Sequence, residues 1–195
     1  MALKSTIFKA ELAISDMDRG YYGSHSFRIA RHPSETDERM MVRLMAFSRH
    51  ADERLEFGKG ISTDDEPALW RRDLTGAIEE WIDVGLPDEK WLRKACGRSR
   101  NVVLYAYGGH HSVDVWWGQN QKLLERFDNL TIYNLSLDTT KALAKLAARS
   151  MALQATIQDE QLWFSGEDEN VVVEPMVLMK ANPASRKNGG DRQFT

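Results

Sequence analysis

The sequence predicts a mixed α/β domain. Near the N-terminus apolar residues recur at every second position, the period of a half-buried strand. From Ser34 to Gly108 the order of patterns is helix, short strand, hairpin, helix, strand. "NVVLYAYG" is a short apolar run that follows a helical stretch, as in a parallel crossover. With 195 residues, the chain suits one compact domain, expected over residues 1–180.

Thr6, Phe8, Ala10, Leu12 and Ile14 share one side of a first strand, and "SHSFRIARH" can return as its hairpin partner. A helix follows Pro33, with Ser34 as the expected N-cap and Asp37 three residues on, in the manner of a capping box. Met40, Met41, Leu44, Met45 and Phe47 form its apolar face; Arg39, Arg43 and His50 are expected on the other, with Glu38 at the edge. "RLEFGKG" reads as a short strand. "PALWRRD" and "GAIEEWIDVG" read as a hairpin turning near Gly76, which brings Asp64, Asp65 and Glu66 toward Asp83.

Pro87 and Asp88 then start a helix with Trp91, Leu92, Ala95 and Cys96 on its apolar side and Lys90, Arg93 and Lys94 elsewhere. After the "NVVLYAYG" strand, "SVDVWWGQNQKLLERFDN" reads as a helix, "LTIYNLS" as a strand and "DTTKALAKLAARSM" as a helix capped by Asp138. "LQATIQDEQLWFSG" and "NVVVEPMVLMK" return to β structure. The polar, Gly- and Asn-containing tail from Ala181 onward is expected to be flexible.

Composition narrows the function classes. The 42% hydrophobic and 28% charged content is that of a soluble globular chain, and no apolar run approaches the about 18 residues that span a bilayer. A single cysteine, Cys96, leaves no internal disulfide and fits a cytoplasmic setting. A net charge of −3 means that nucleic acid, if bound, is met by a local patch rather than by bulk charge.

The blocks "ARHPSETDERMM", "DDEPALWRRDLTG", "WIDVGLPDE" and "KAC", in this order, resemble the bacterial YaeQ family from about Met1 to Leu178. That resemblance implies a compact restriction-endonuclease-like core at about residues 34–108, a variation on the PD-(D/E)XK nuclease architecture. It would comprise a mixed sheet flanked by helices, with additional N- and C-terminal strands. It also directs attention to acids at strand ends, where carboxylates can hold Mg2+ or Mn2+ to activate water and neutralise a phosphate.

Asp65 and Asp83 are the leading acids, with Asp64 and Glu66 as rivals for the first position and Glu38 as a third ligand. The position that would carry a lysine after Asp83 holds Gly85, so the amine is expected from the next helix, Lys94 first and Lys90 second. Arg31, Arg39, Arg71, Arg72, Arg93 and Arg98 are candidate phosphate contacts, with Arg39, Arg93 and Arg98 foremost. The function implied is a magnesium-dependent phosphodiesterase acting on DNA or RNA. Its alternatives are a noncatalytic nucleic-acid-binding module and a regulatory protein-interaction domain that retains the fold.

Other conspicuous residues have plainer readings. Pro87-Asp88 follows the acidic strand and is a helix start; His110 and His111 are turn residues without a third ligand nearby. Of Trp116 and Trp117 at least one belongs to the core, and Cys96 lies on an apolar helix face as a buried thiol.

Overall fold

The computed structural model describes residues 5–59 and 65–182. Asp64 and the tail from position 183 onward lie outside the described residues. Among the described residues eleven strands and four helices form two mixed sheets with helices between and beside them. No helix among the described residues is long and apolar enough to cross a membrane.

The first sheet begins with the expected hairpin. β1 (Thr6–Asp16) pairs antiparallel with β2 (Tyr21–Arg31), and its alternation buries Phe8, Ala10, Leu12 and Ile14 on one face. β8 (Ser150–Gln158) lies parallel to β1 on its other side, followed by β9 (Gln161–Ser165) and β10 (Asn170–Val173). Asp159 and Glu160, both at positive φ, make the β8–β9 turn without glycine; Asp18 steadies it by accepting both of their backbone N–H groups at 2.8 Å. "LQATIQDEQLWFSG" is therefore two strands, because a side chain distant in sequence stabilises a turn that local composition does not announce.

The second sheet runs β11-β7-β6-β5-β4-β3. β3 (Leu55–Phe57), β4 (Leu69–Arg72) and β5 (Ile78–Val84) are antiparallel neighbours. β6 (Ser99–Ala106) and β7 (Leu130–Asn134) continue parallel to β5, and β11 (Met176–Met179) closes the edge antiparallel. "NVVVEPMVLMK" thus divides between the sheets: β10 in one and β11 in the other, separated at Glu174 and Pro175. Pro175 cannot donate a ladder hydrogen bond, which suits a crossing point.

α1 (Asp37–Arg49) and α4 (Leu137–Lys145) lie between the sheets, whereas α2 (Glu89–Arg98) and α3 (Ser112–Leu124) cover the other face of the second sheet. That placement corrects the amphipathic reading of α1. Every residue from Met40 to Ser48 is buried, Arg43 included, since the helix meets sheet residues on opposite sides. Arg43 can be buried because Glu35 receives it, Nε to Oε1 at 2.9 Å and Nη2 to Oε2 at 3.2 Å. The cap also moves: Thr36, not Ser34, accepts from the Arg39 N–H, and Ser34 bonds His32 instead. Similarly Ser136, not Asp138, caps α4, which ends at Lys145 before β8 begins.

Glu35 and Arg43 expose only 4% and 3% of their surfaces, so removing one charge strands the other in a dry interior. Glu35→Gln should lower the unfolding free energy by about 3–5 kcal/mol. The double change Glu35→Gln/Arg43→Met should restore much of it, as read by chemical denaturation.

Candidate functional site

The candidate site forms where β4 begins, β5 ends and α2 starts. Antiparallel pairing sets Leu69 opposite Ile82, so the segment leading into β4 passes the end of β5. Asp83 is carried there on the face of the sheet that α2 covers. Its Oδ1 accepts the Ala68 N–H at 3.0 Å, and its Oδ2 accepts Trp81 Nε1 at 2.7 Å and Trp91 Nε1 at 2.6 Å. One buried carboxylate thus links β4, β5 and α2. Burial pushes the Asp83 carboxyl above its ordinary value, against the opposing pull of these three donors and Arg39.

α2 begins at an Asx cap: the Asp88 carboxylate accepts the Trp91 N–H at 2.7 Å. This cap places Trp91 in the first turn, where its indole reaches down to Asp83. Lys94, one turn later, lies over the Trp91 ring at 5.1 Å and pairs with Asp65, whose other cation is Arg98 at 3.7 Å. The hydrogen bond from Lys94 holds the Asp65 carboxyl below the usual carboxylate range. Asp65, Lys90, Trp91, Arg93 and Lys94 line an open groove of about 800 Å³. Asp83 lies beneath Trp91 and does not line it.

Asp65 and Lys94 are therefore brought together, and Trp91 stands between Lys94 and Asp83. Glu66, Glu38 and Arg39 are placed elsewhere. Glu66 turns to Lys59, accepting its backbone N–H at 2.9 Å. Glu38 lies toward Tyr107, whose hydroxyl burial pushes up to about 12, and Glu38 Oε1 is buried without a hydrogen-bond partner. Arg39 is directed inward: its Nη1 donates to the Val84 carbonyl at 2.8 Å, and its Nε stands 3.9 Å from Glu35. Among the described residues no three His, Cys, Asp or Glu side chains converge as metal ligands. With three donors already on Asp83, these side chains do not fit a bound Mg2+ or Mn2+.

Gly85 has a backbone role. Its φ of +99° is in the left-handed region that glycine adopts without penalty, and its N–H donates to the Tyr105 carbonyl at 2.9 Å. A side chain there would stand 3.5 Å from Arg39 Nη1, an ordinary contact, so the requirement is conformational. Trp91 and Trp81 are the site residues that sequence reasoning missed, having placed Trp91 on an apolar helix face. Their spacing from Asp83 was the available signal, because a buried carboxylate needs N–H donors and indole supplies one. Trp116 and Cys96 are buried as expected, while His110 and His111 are exposed in the turn before α3.

Fold and site together define a two-sheet α+β domain with a basic helix over a buried strand-end acid. Residues 1–175 match the family described as YaeQ protein, and the chain belongs to that family. It is 44% identical over 173 residues to "Uncharacterized protein YaeQ" of Escherichia coli (strain K12), covering 89% of this chain and 95% of that one. The Salmonella typhi protein of the same name is 43% identical over 174 residues, covering 89% and 96%. The crystal structure of YaeQ protein from Xanthomonas axonopodis pv. citri superposes with a TM-score of 0.85 at 49% identity, covering 92% of this chain and 99% of that one. That from Pseudomonas syringae gives 0.86 at 37% identity, covering 90% and 97%.

Because burial raises the Asp83 pKa, the folded protein keeps that proton to higher pH than the unfolded chain does. The contribution of Asp83 to stability is therefore fully present below the ordinary carboxylate pKa and is lost as pH rises through the folded value. Asp83→Asn removes this titration and leaves an indole or amide donor unmatched. The stability of wild type relative to Asp83→Asn should fall as pH is raised from about 4, measured by urea unfolding at a series of pH values.

Proposed function

We propose that this chain binds the phosphate backbone of DNA or RNA through the exposed face of α2, without requiring a metal ion. The observation that carries the reading is a basic ridge. Lys90, Arg93, Lys94 and Arg98 recur at the spacing of one helical face, over roughly 12 Å at 1.5 Å per residue. Lys90 and Arg93 are exposed and have no ion-pair partner among the described residues. Two uncommitted cations beside an open groove suit a polyanion whose counterions they would release.

The chain's net charge of −3 limits this attraction to the ridge, and Asp65 competes with phosphate for Lys94. Asp65→Asn should strengthen binding for that reason. Magnesium-dependent phosphodiester cleavage, which the family resemblance implies, has Asp65 and Lys94 at the groove in its favour. It has less support because Asp83 is closed beneath Trp91 and, among the described residues, no third acid joins it.

Fluorescence anisotropy with a labelled oligonucleotide in EDTA tests the binding reading. Wild type should bind at low salt, and Lys90→Ala/Arg93→Ala should weaken binding and lower the slope of log K against log salt by about two. Absence of wild-type binding at low salt would overturn the proposal. Repeating the incubation with magnesium reads cleavage on the same oligonucleotide.

A further inference from the structure

The hairpin between β4 and β5 presents Leu74 with 96% of its surface exposed, far more than any other large apolar residue in the described chain; the next is Tyr22 at 66%. Its turn is not a loose loop. The Gly76 N–H donates to the Asp73 carbonyl at 3.0 Å, and the Asp73 N–H donates to the Ala77 carbonyl at 2.9 Å. Asp73 Oδ1 also accepts from the Thr75 N–H at 2.8 Å, from the Thr75 hydroxyl at 2.6 Å and from the Ala77 N–H at 3.0 Å. Gly76 supplies the positive φ of 87° that this turn requires. Nothing in that geometry calls for leucine at its first central position, where most residues are accommodated.

The location of the tip gives the exposed leucine a context. β5 and β6 are parallel with Ile78 beside Ser99, so the tip lies near the C-terminal end of α2, at the far end of the basic ridge from Lys90. Arg100 ties the two together by reaching Asp73 at 3.2 Å. On the strand leading to the tip, the Arg72 guanidinium lies over the Trp70 ring at 3.6 Å. A braced apolar point with Arg72 beside it and the α2 cations beyond is the arrangement with which proteins pry apart a stacked base step while neighbouring cations hold phosphate.

We infer that Leu74 is a wedge that inserts at a base step of duplex DNA while the α2 ridge holds the adjacent backbone. This rests on the nucleic-acid reading of α2 and narrows its substrate to a deformable duplex. Pyrimidine–purine steps unstack most readily, so the wedge would favour a TA step. The protein supplies no strand chemistry in this role; it exchanges base stacking for leucine contact.

A labelled DNA duplex carrying 2-aminopurine at a central TA step tests the wedge. Wild type should raise the 2-aminopurine fluorescence on binding. Leu74→Ala and Leu74→Asp should abolish that rise and weaken anisotropy-measured affinity by about tenfold, with circular dichroism unchanged because the side chain packs against nothing. Met176→Ala, at a 56% exposed position on edge strand β11 of the same sheet, should behave as wild type. If Lys90→Ala/Arg93→Ala loses binding but both Leu74 variants retain affinity and the fluorescence rise, the wedge is refuted while the α2 reading stands. If wild type binds no duplex, the wedge falls, and the α2 reading falls with it only if single-stranded DNA and RNA oligonucleotides also go unbound at low salt.

Discussion

Asp83 brings a carboxylate into a place where water does not reach, and the local structure follows from how that carboxylate is satisfied. Ala68 donates from the entry to β4, Trp81 from β5 itself and Trp91 from α2. An unmet buried carboxylate would be far costlier than the backbone arrangement that meets it. The hairpin entry must therefore pass close to the strand end, and α2 must start where Trp91 can point inward. The Asp88 cap fixes that start. The groove geometry depends on this arrangement: with Trp91 anchored, Lys94 one turn onward lies above its ring and meets Asp65 from the incoming segment.

Much of this was legible because it depends on near neighbours in sequence. Alternation revealed the first hairpin, the β4–β5 pairing brought the segment of Asp65 and Glu66 toward the end of β5, and Asp88 announced its helix. Lys94 and Asp65 were expected in one place, and they meet. What was hidden depends on contacts between distant segments. Arg43 looked solvated because a helical period shows one apolar face, whereas α1 is enclosed from both sides and Glu35 neutralises the intruding charge. The Asp159-Glu160 turn had no glycine or proline to mark it, since Asp18 supplies the stabilisation from elsewhere. The indole donors were hidden in the same way: tryptophan on an apolar face reads as packing until the acid beneath it is located.

The two faces of the second sheet divide the chemistry. On the α1 side, cations are spent inward: Arg43 on Glu35, and Arg39 on the Val84 carbonyl. On the α2 side they are left facing out, with Lys90 and Arg93 exposed along the groove. Arg39 stands apart from Arg93 and Arg98 because residues near one another around β5 need not share a side of the sheet. Local charge on α2 can therefore oppose the chain's negative total without contradiction, since screening confines each patch to about 8–10 Å.

Gly85 limits what the strand end can carry beside this acid. A lysine two residues beyond Asp83 would have to adopt the left-handed conformation that the turn demands, where a side chain incurs backbone strain. The strand ends there because the backbone turns at Gly85 just after its last bond to β6, and the Val84 carbonyl is taken by Arg39. The chain must turn before it can present another side chain on the α2 face, and the first exposed ammonium it then offers is Lys90, followed one turn later by Lys94. Backbone geometry thus keeps a side chain out of position 85, and the cations beside this strand end belong to α2, with the Trp91 ring separating Lys94 from Asp83.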